Sequence, residues 1–373
     1  MTDSVLQSRG SMRGSVPAIV GTRPVRVRFE LVDRLESLRE EWMQLAEQTQ
    51  HVFATWEFAT TWWEHFGAGR RLLTVACRDS GGELFAILPL YLWRRRPLRV
   101  MRFLGNGAGD ILGPVCRPER YEDAARALRR LLEVAPWDWD IFVGENLPGE
   151  QHWPERLGGN VIRREGNPVL RAAEGFDEFL AGRSSNFRSQ VRRFERRLVH
   201  RYRVRYRLSD SRTLDADLDH LFRLHEAGFG ARSAFGGRRT AFHRAFAYRA
   251  LERGWLRLWL LELDDRPAAA YYGFRFGDAE SFYQSGRDPE FRRESVGLVL
   301  MVHVIRSAFK DGLHEFAFLR GQEPYKYRFA TEDHGLENVC LVRGPAAAAA
   351  FAFIQAVRLS PAARKLLHGP LEM

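Results

Sequence analysis

Apolar positions along this chain follow two rhythms, and the places where the rhythm changes mark its elements. "VRVRFELV" (25–32) alternates and predicts a strand, after which Leu35, Leu38, Trp42 and Leu45 recur at helical spacing. "TWEFATTWWEHF" (55–66) predicts a second, aromatic-rich helix. "LLTVACRD" and "ELFAILPLYLW" flank "SGG", the signature of a hairpin around a Gly-rich turn. "LRVMRFLG" is another strand, Tyr121, Ala124, Leu128, Leu131 and Leu132 mark a third helix, and "WDIFVGEN" returns as a strand. Across 146–176 the pattern loosens into "NLPGEQHWPERLGGN" and "EGNPVL", with a short strand "NVIRREG" inside it. Pro and Gly punctuation there predicts a crossing between domains.

The second half opens on a basic helix. Phe187, Val191, Phe194 and Leu198 share one face, while Arg188, Arg192, Arg193, Arg196 and Arg197 occupy the others. Two helices near 213–229 and 239–253 precede three strands, "WLRLWLLEL", "PAAAYYGFRF" and "AESFYQSG". "SVGLVLMVHVIRSAFKDG" is an apolar helix, "HEFAFLRG" a strand, "QEPYKYRF" a short helix and "LENVCLVRG" a last strand. This order predicts a mixed α/β (α+β) fold with one such unit in each half. The expected division is a flexible tail over 1–24, domains over 25–172 and 173–344, and a helical C-terminal tail over 345–373.

Composition narrows the class. A chain of 373 residues fits about two domains. Its 45% hydrophobic content builds ordinary cores. The net charge of +10 favours anionic partners, such as phosphate-bearing cofactors, nucleic acid or a membrane surface, although a solvated arginine-rich surface accounts for it equally well. Cys77, Cys116 and Cys340 lie far apart with no CxxC pair, so neither a zinc site nor a disulfide framework is indicated, and a reduced cytoplasmic setting is expected. The start lacks an apolar signal region. "AAAAAFAFIQAV" is too short for a bilayer, which takes roughly 20 residues.

Two places carry candidate chemistry. In "FRRESVGLVLM" an apolar helix opens after three strands, and a helix start offers free N–H groups to an anion. Arg292, Arg293, Ser295, Val296 and Gly297 stand there; Ser295 is expected to cap the helix, and Glu294 works against an anion. The second place is "RGQEPYKYRFATED" (320–333). Lys310, Lys326 and Lys365 are the only lysines among 57 Lys and Arg residues, so the chain uses arginine almost everywhere else. A compact ammonium suits an oxyanion forming at a carbonyl, where a planar guanidinium fits less well. Glu323 is a candidate proton acceptor or a simple surface carboxylate. Asp110, in the Gly-rich "GNGAGDILG", either approaches an acceptor or only shapes a turn. The basic helix is a possible nucleic-acid face, but no recognised binding motif accompanies it.

The quoted 320–333 segment resembles the "D-x-x-x-G-x-E-x-Y-K-x-x-W" ending of the GNAT-like acetyltransferases of the CelD cellulose-biosynthesis type, relatives of the Fem peptidoglycan aminoacyltransferases. Gly321, Glu323, Tyr325 and Lys326 match; Phe329 stands where Trp is usual and Ala317 where an aspartate is often found. Arg292, Ser295 and Gly297 resemble the R/Q-x-x-G-x-G/A pyrophosphate loop of GNAT enzymes, with Ser for the first Gly. "SSNFRSQVRRFERRL" and "LFRLHEAGFGARSAFGG" resemble further family helices and bring in Arg188 and His225 as substrate-binding candidates. The likeness runs in order from Glu178 to about Leu341 and is looser in the first half. It implies two tandem GNAT-like domains around a shared cleft. It also implies transfer of an acyl group from acetyl-CoA, without a metal, to a small-molecule, sugar or envelope-precursor acceptor. Catalytic roles then fall to Lys326, Glu323 and Tyr325. An aminoacyl-tRNA donor, or a non-catalytic binding module of a polysaccharide machine, stay open as alternatives.

Overall fold

The apolar runs of 70–95 do not form one long hairpin; each turns a corner between two sheets. In the computed structural model, which describes residues 27–352 except 96–97, 135–136, 172–174, 231–232 and 346, the first half runs β1 (Arg28–Val32), α1 (Arg39–Ala46), α2 (Trp56–Phe66), β2 (Arg70–Leu72), β3 (Thr74–Arg78), β4 (Leu84–Leu88), β5 (Leu90–Arg95), β6 (Leu98–Phe103), β7 (Val115–Cys116), α3 (Tyr121–Val134), β8 (Ile141–Pro148), α4 (Trp153–Leu157) and β9 (Asn160–Glu165). The corners fall at Leu73 and at Pro89, which has no N–H to give a ladder. Pro89 instead accepts from Leu104 N at 2.7 Å. β3 and β4 thus join a four-stranded sheet ordered β1-β3-β4-β7, while β2 and β5 enter a second sheet.

The second half runs β10 (Pro168–Arg171), α5 (Phe176–Ala181), α6 (Ser185–Arg201), β11 (Val204–Leu208), α7 (Leu214–Phe229), α8 (Arg238–Glu252), β12 (Leu256–Leu263), β13 (Arg266–Phe276), β14 (Ala279–Arg287), α9 (Val296–Lys310), β15 (Glu315–Ala317), β16 (Glu332–Asp333) and β17 (Leu336–Val342). Its seven-stranded sheet is ordered β11-β12-β13-β14-β15-β10-β16. Each half contains one parallel crossover through a helix: β6–α3–β8, with Val100 opposite Ile141, and β14–α9–β15, with Ala279 opposite Glu315. Parallel neighbours need such a crossover, and the buried helix between them supplies the core.

The sheets do not part at the expected 172/173 boundary. β10 pairs with β15 and β16 in the second sheet. β17 leaves the second half and inserts between β8 and β9, completing a six-stranded sheet ordered β2-β5-β6-β8-β17-β9. Its Leu336, Val339 and Cys340 are buried there, which sets its place. The halves also share side-chain core. Phe58 of α2 meets Phe242 and Phe246 of α8 edge-on at 5.6 and 5.1 Å. Arg249 holds Glu64 at 2.8 Å beside them. The expected tail over 1–24 lies outside the described residues, as does the C-terminal tail beyond 352; 347–352 are helical. Among the described residues no helix is long and apolar enough to cross a membrane.

Candidate active site

β14 and β15 pair only where Ala279–Ser281 face Glu315–Ala317. Beyond that point β14 runs on to Arg287 without β15, and the gap opens a cleft of about 590 Å³ between β14, the start of α9 and the 323–329 segment. The cleft is lined by Phe282, Ser285, Arg287, Arg292, Ser295, Val296, Gly297, Glu323 and Tyr325 among others. The matching crossover of the first half is filled. The cavity lined there by Leu104, Leu112, Val115, Tyr121 and Pro148 has about 20 Å³, room for one water.

A bulge aims the side chains of β14. Tyr272 opposes Gln284 and Gly273 opposes Phe282, so Tyr283 is the extra residue. Phe282 faces the cleft, while Tyr283 reaches into the first half and donates its hydroxyl to Ala108 O at 2.7 Å. Farther along, His225 Nδ1 lies 2.7 Å from Ser285 O. That carbonyl therefore points out of the sheet, and in an antiparallel pair of that kind the residue's N–H leaves by the same edge. Ser285 thus presents a main-chain donor to the open side. His225 also accepts from Ala234 N at 3.0 Å through Nε2, so both ring nitrogens serve the backbone. Burial lowers its pKa and keeps the ring neutral. The expectation that it contacts substrate gives way to a histidine that fastens α7 to the edge of β14. Gly286 allows that approach, since a Cβ there would sit 2.6 Å from His225 N.

The start of α9 is built as expected in place but not in detail. Ser295 adopts a left-handed φ of 55°, the conformation a glycine would take, and makes no side-chain cap. Its carbonyl receives Leu298 N at 3.0 Å and Val299 N at 3.2 Å. The N–H groups of Val296 and Gly297 have no acceptor within the helix and face the cleft. A Cβ on Gly297 would meet nothing within 4 Å, so space lies directly over the helix start. Arg292 lines the cleft; Arg293 does not, and its exposed side chain leaves its carbonyl to Arg197 at 3.2 Å. Glu294, the expected obstacle to an anion, is buried and turned to Arg201 at 3.4 Å.

Lys326 departs furthest from expectation. It is 4% exposed and does not line the cleft. Its ammonium donates to Arg320 O at 2.7 Å and Leu319 O at 3.5 Å, and pairs with Glu323 Oε2 at 3.0 Å. All three protons have takers, so none is left for a substrate carbonyl. Gly321, at φ +130°, makes room for this knot: a Cβ there would fall 2.3 Å from Glu323 Oε2 and 2.9 Å from Lys326 Nζ. Glu323 and Tyr325 do face the cleft. Burial, and then the Glu323 carboxylate, push the Tyr325 phenol up, so it keeps its proton.

Asp110 arrives from the first half. Its carboxylate lies 3.6 Å from Arg320 Nε. Burial pushes its pKa up to about 6, opposed by Arg320 and Lys326 and reinforced by Glu323. The loop that carries it is thus more than a turn: it closes one end of the charged cluster Asp110, Arg320, Glu323, Lys326. Arg188 lies elsewhere, donating to Ala181 O at 2.8 Å at the base of α6. Sequence reading missed Ser285, Arg287 and Arg320. The single glycine inside the strand pattern "YQSGRD" was the available signal, since such a glycine marks a bulge or a close backbone approach.

Residues 185–327 match the acetyltransferase (GNAT) domain family. A search of curated proteins finds no match to the sequence. Among solved structures, the crystal structure of FemX is similar with a TM-score of 0.59 at 12% identity, covering 82% of this chain and 96% of that one. The C-terminal domain of a putative lysylphosphatidylglycerol synthetase from Agrobacterium fabrum gives 0.56 at 10% identity, over 87% and 97% of the two chains. L-PGS from Bacillus licheniformis gives 0.52 at 10% identity, over 82% and 90%. At such identities the likeness is one of fold. The chain is a mixed α/β protein whose second half carries a GNAT-type acetyltransferase domain.

Proposed function

We propose that this protein transfers an acyl group, acetyl in the simplest case, from acyl-CoA to an amine or sugar hydroxyl. The observation that carries the reading is the two-ended cleft. One end has an anion-receptive helix start with open space over Gly297, and the other has the Glu323 carboxylate, backed by Lys326 and by the Asp110–Arg320 contact between the halves. The Val296 and Gly297 N–H groups, with Arg292, hold the pyrophosphate; the bound thioester supplies an activated acyl group. The Ser285 N–H on the free edge of β14 polarises its carbonyl. Glu323 takes the proton of the acceptor, which enters beside Asp110. Tyr325, protonated at neutral pH, returns a proton to the departing sulfur. Lys326 acts through others: it orients Glu323 and fixes the 319–323 turn. The likeness to CelD-type enzymes supports a role in exopolysaccharide or cell-envelope synthesis in the cytoplasm. Calorimetric titration with acetyl-CoA, followed by an acceptor screen with labelled acetyl-CoA, tests the reading. A folded protein that binds no CoA ester at millimolar concentration would overturn it.

A further inference from the structure

The outward face of α6 has no task in the reaction above. Its buried residues, Phe187, Val191, Phe194 and Leu198, fix which side is turned away. On that far side stand Ser185, Ser189, Arg192, Arg196 and Val199, at helical spacing and all exposed, with Arg193 and His200 beside them. The helix holds six arginines and one acidic residue, Glu195, which is half-buried and pairs with Arg306 at 2.9 Å. Among the described residues none of Arg192, Arg193, Arg196 or Arg197 forms an ion pair. Arg193 lies over Phe194, and Arg197 reaches the carbonyl of Arg293, next in sequence to the cleft-lining Arg292. On the same face, just beyond these cations toward the end of the helix, Val199 is 70% exposed, the most exposed large apolar side chain among the described residues.

We propose that this face docks on an anionic membrane surface, placing the cleft mouth beside the lipid–water boundary. Three features favour a membrane over a nucleic acid. The arginines lie on one convex helix face rather than in a groove that tracks a strand. No exposed aromatic side chain stands among them to stack on a base. Val199 is an apolar contact that a phosphate backbone does not use but a headgroup layer does. Arg192 and Val199 lie about 10 Å apart along the helix, from the rise of 1.5 Å per residue, so one lipid surface meets both. Each arginine near such a surface strengthens binding about fivefold, from roughly 1 kcal/mol apiece. The attraction weakens within a Debye length of about 8 Å at physiological salt.

Co-sedimentation of the whole chain with vesicles of phosphatidylcholine alone, and of phosphatidylcholine mixed with phosphatidylglycerol, tests the proposal. Binding is expected only with the anionic lipid, and it falls as salt is raised. The double change Arg192→Glu, Arg196→Glu is expected to lower partitioning at least about 20-fold at unchanged thermal midpoint. Val199→Ser is expected to lower it severalfold while leaving the salt dependence intact, which separates apolar insertion from charge. No binding to anionic vesicles, equal binding to neutral ones, or indifference to the arginine pair overturns the proposal. So does tRNA binding that outcompetes the vesicles and ignores Val199→Ser. None of these residues lines the cleft, so acetyl-CoA titration of the same variants is unaffected either way, and failure of the membrane proposal leaves the enzymatic reading standing.

Discussion

Lys326 shows how a residue can be chosen by chemistry that its sequence context only half reveals. The scarcity of lysine pointed to a place where an ammonium is required, and the structure places one there with three acceptors around it. Its direction was not legible, because burial and the backbone path of Leu319 and Arg320 are set by distant packing. The consequence is testable. Lys326→Arg forces a larger planar group into a filled space and is expected to cost about 1–3 kcal/mol of stability. Lys326→Met strands the buried carbonyls and is expected to cost at least as much. A lysine acting only on the reaction would instead leave chemical unfolding untouched while the rate collapsed, so the two measurements together decide its role. Asp110 gives a second test at this scale. Its folded pKa of about 6 stands above the ordinary 3.8, so the folded state holds the proton more tightly. Stability from this group is therefore full below about pH 4 and lost as pH rises through about 6, on the order of 3 kcal/mol. Asp110→Asn removes the titration. It is expected to gain stability over wild type at pH 7 and little at pH 4, and to lose a rate limb near pH 6. Equal differences at both pH values would show that the carboxyl is not held as described.

At the level of elements, long periodic segments were readable because one face packs and the other does not. The apolar stripes of α3, α6 and α9 fall where the spacing put them. Short pieces were not readable: β10 and α5 span four and six residues, too few for a period to stand out. The corners at Leu73 and Pro89 also escaped, since a strand that changes sheets keeps its apolar run. The start of α9 was legible as the opening of an apolar helix, and it lines the cleft, although Ser295 shapes it by its backbone and makes no side-chain cap. Two changes there are expected to have opposite signs for stability and function. Gly297→Ala adds a helix-favouring methyl over open space, so stability is expected to hold or rise by up to about 1 kcal/mol. The same methyl stands where the pyrophosphate is proposed to lie, and acetyl-CoA affinity is expected to fall. Ser295→Gly relieves a left-handed φ and is expected to stabilise by about 0.5–1 kcal/mol with donor affinity retained. Calorimetry of both variants, run beside thermal melts, checks the pair; an unchanged affinity in Gly297→Ala would place the donor elsewhere.

Across the whole molecule, the order of elements predicted the fold class, but not the exchange of strands that ties the halves. β17 is the last strand of the chain's described part, yet its neighbours are β8 and β9 of the first half. No local pattern carries that information: "LENVCLVRG" reads as a buried strand wherever it pairs. With Val339 and Cys340 fully buried between those neighbours, the first-half sheet has a gap between β8 and its edge strand β9 until the chain reaches β17. The shared core of Phe58, Phe242 and Phe246 couples the halves again. The cleft depends on both links, because Asp110 reaches Arg320 only when the first half is seated. The two halves are therefore expected to unfold in one cooperative transition despite a length at which separate domains usually melt apart. A chain shortened to end at residue 331 is expected to lose the first half's structure along with β17, although residues 27–166 are all present. Far-UV and tryptophan-fluorescence melts follow this directly, since Trp42, Trp62 and Trp153 are buried in the first half. Coincident transitions in the full chain, with native-like tryptophan emission absent from the shortened one, are the expected result. A stable, separately melting first half in the shortened chain would show that β17 is an ornament of its sheet and that the halves are independent bodies.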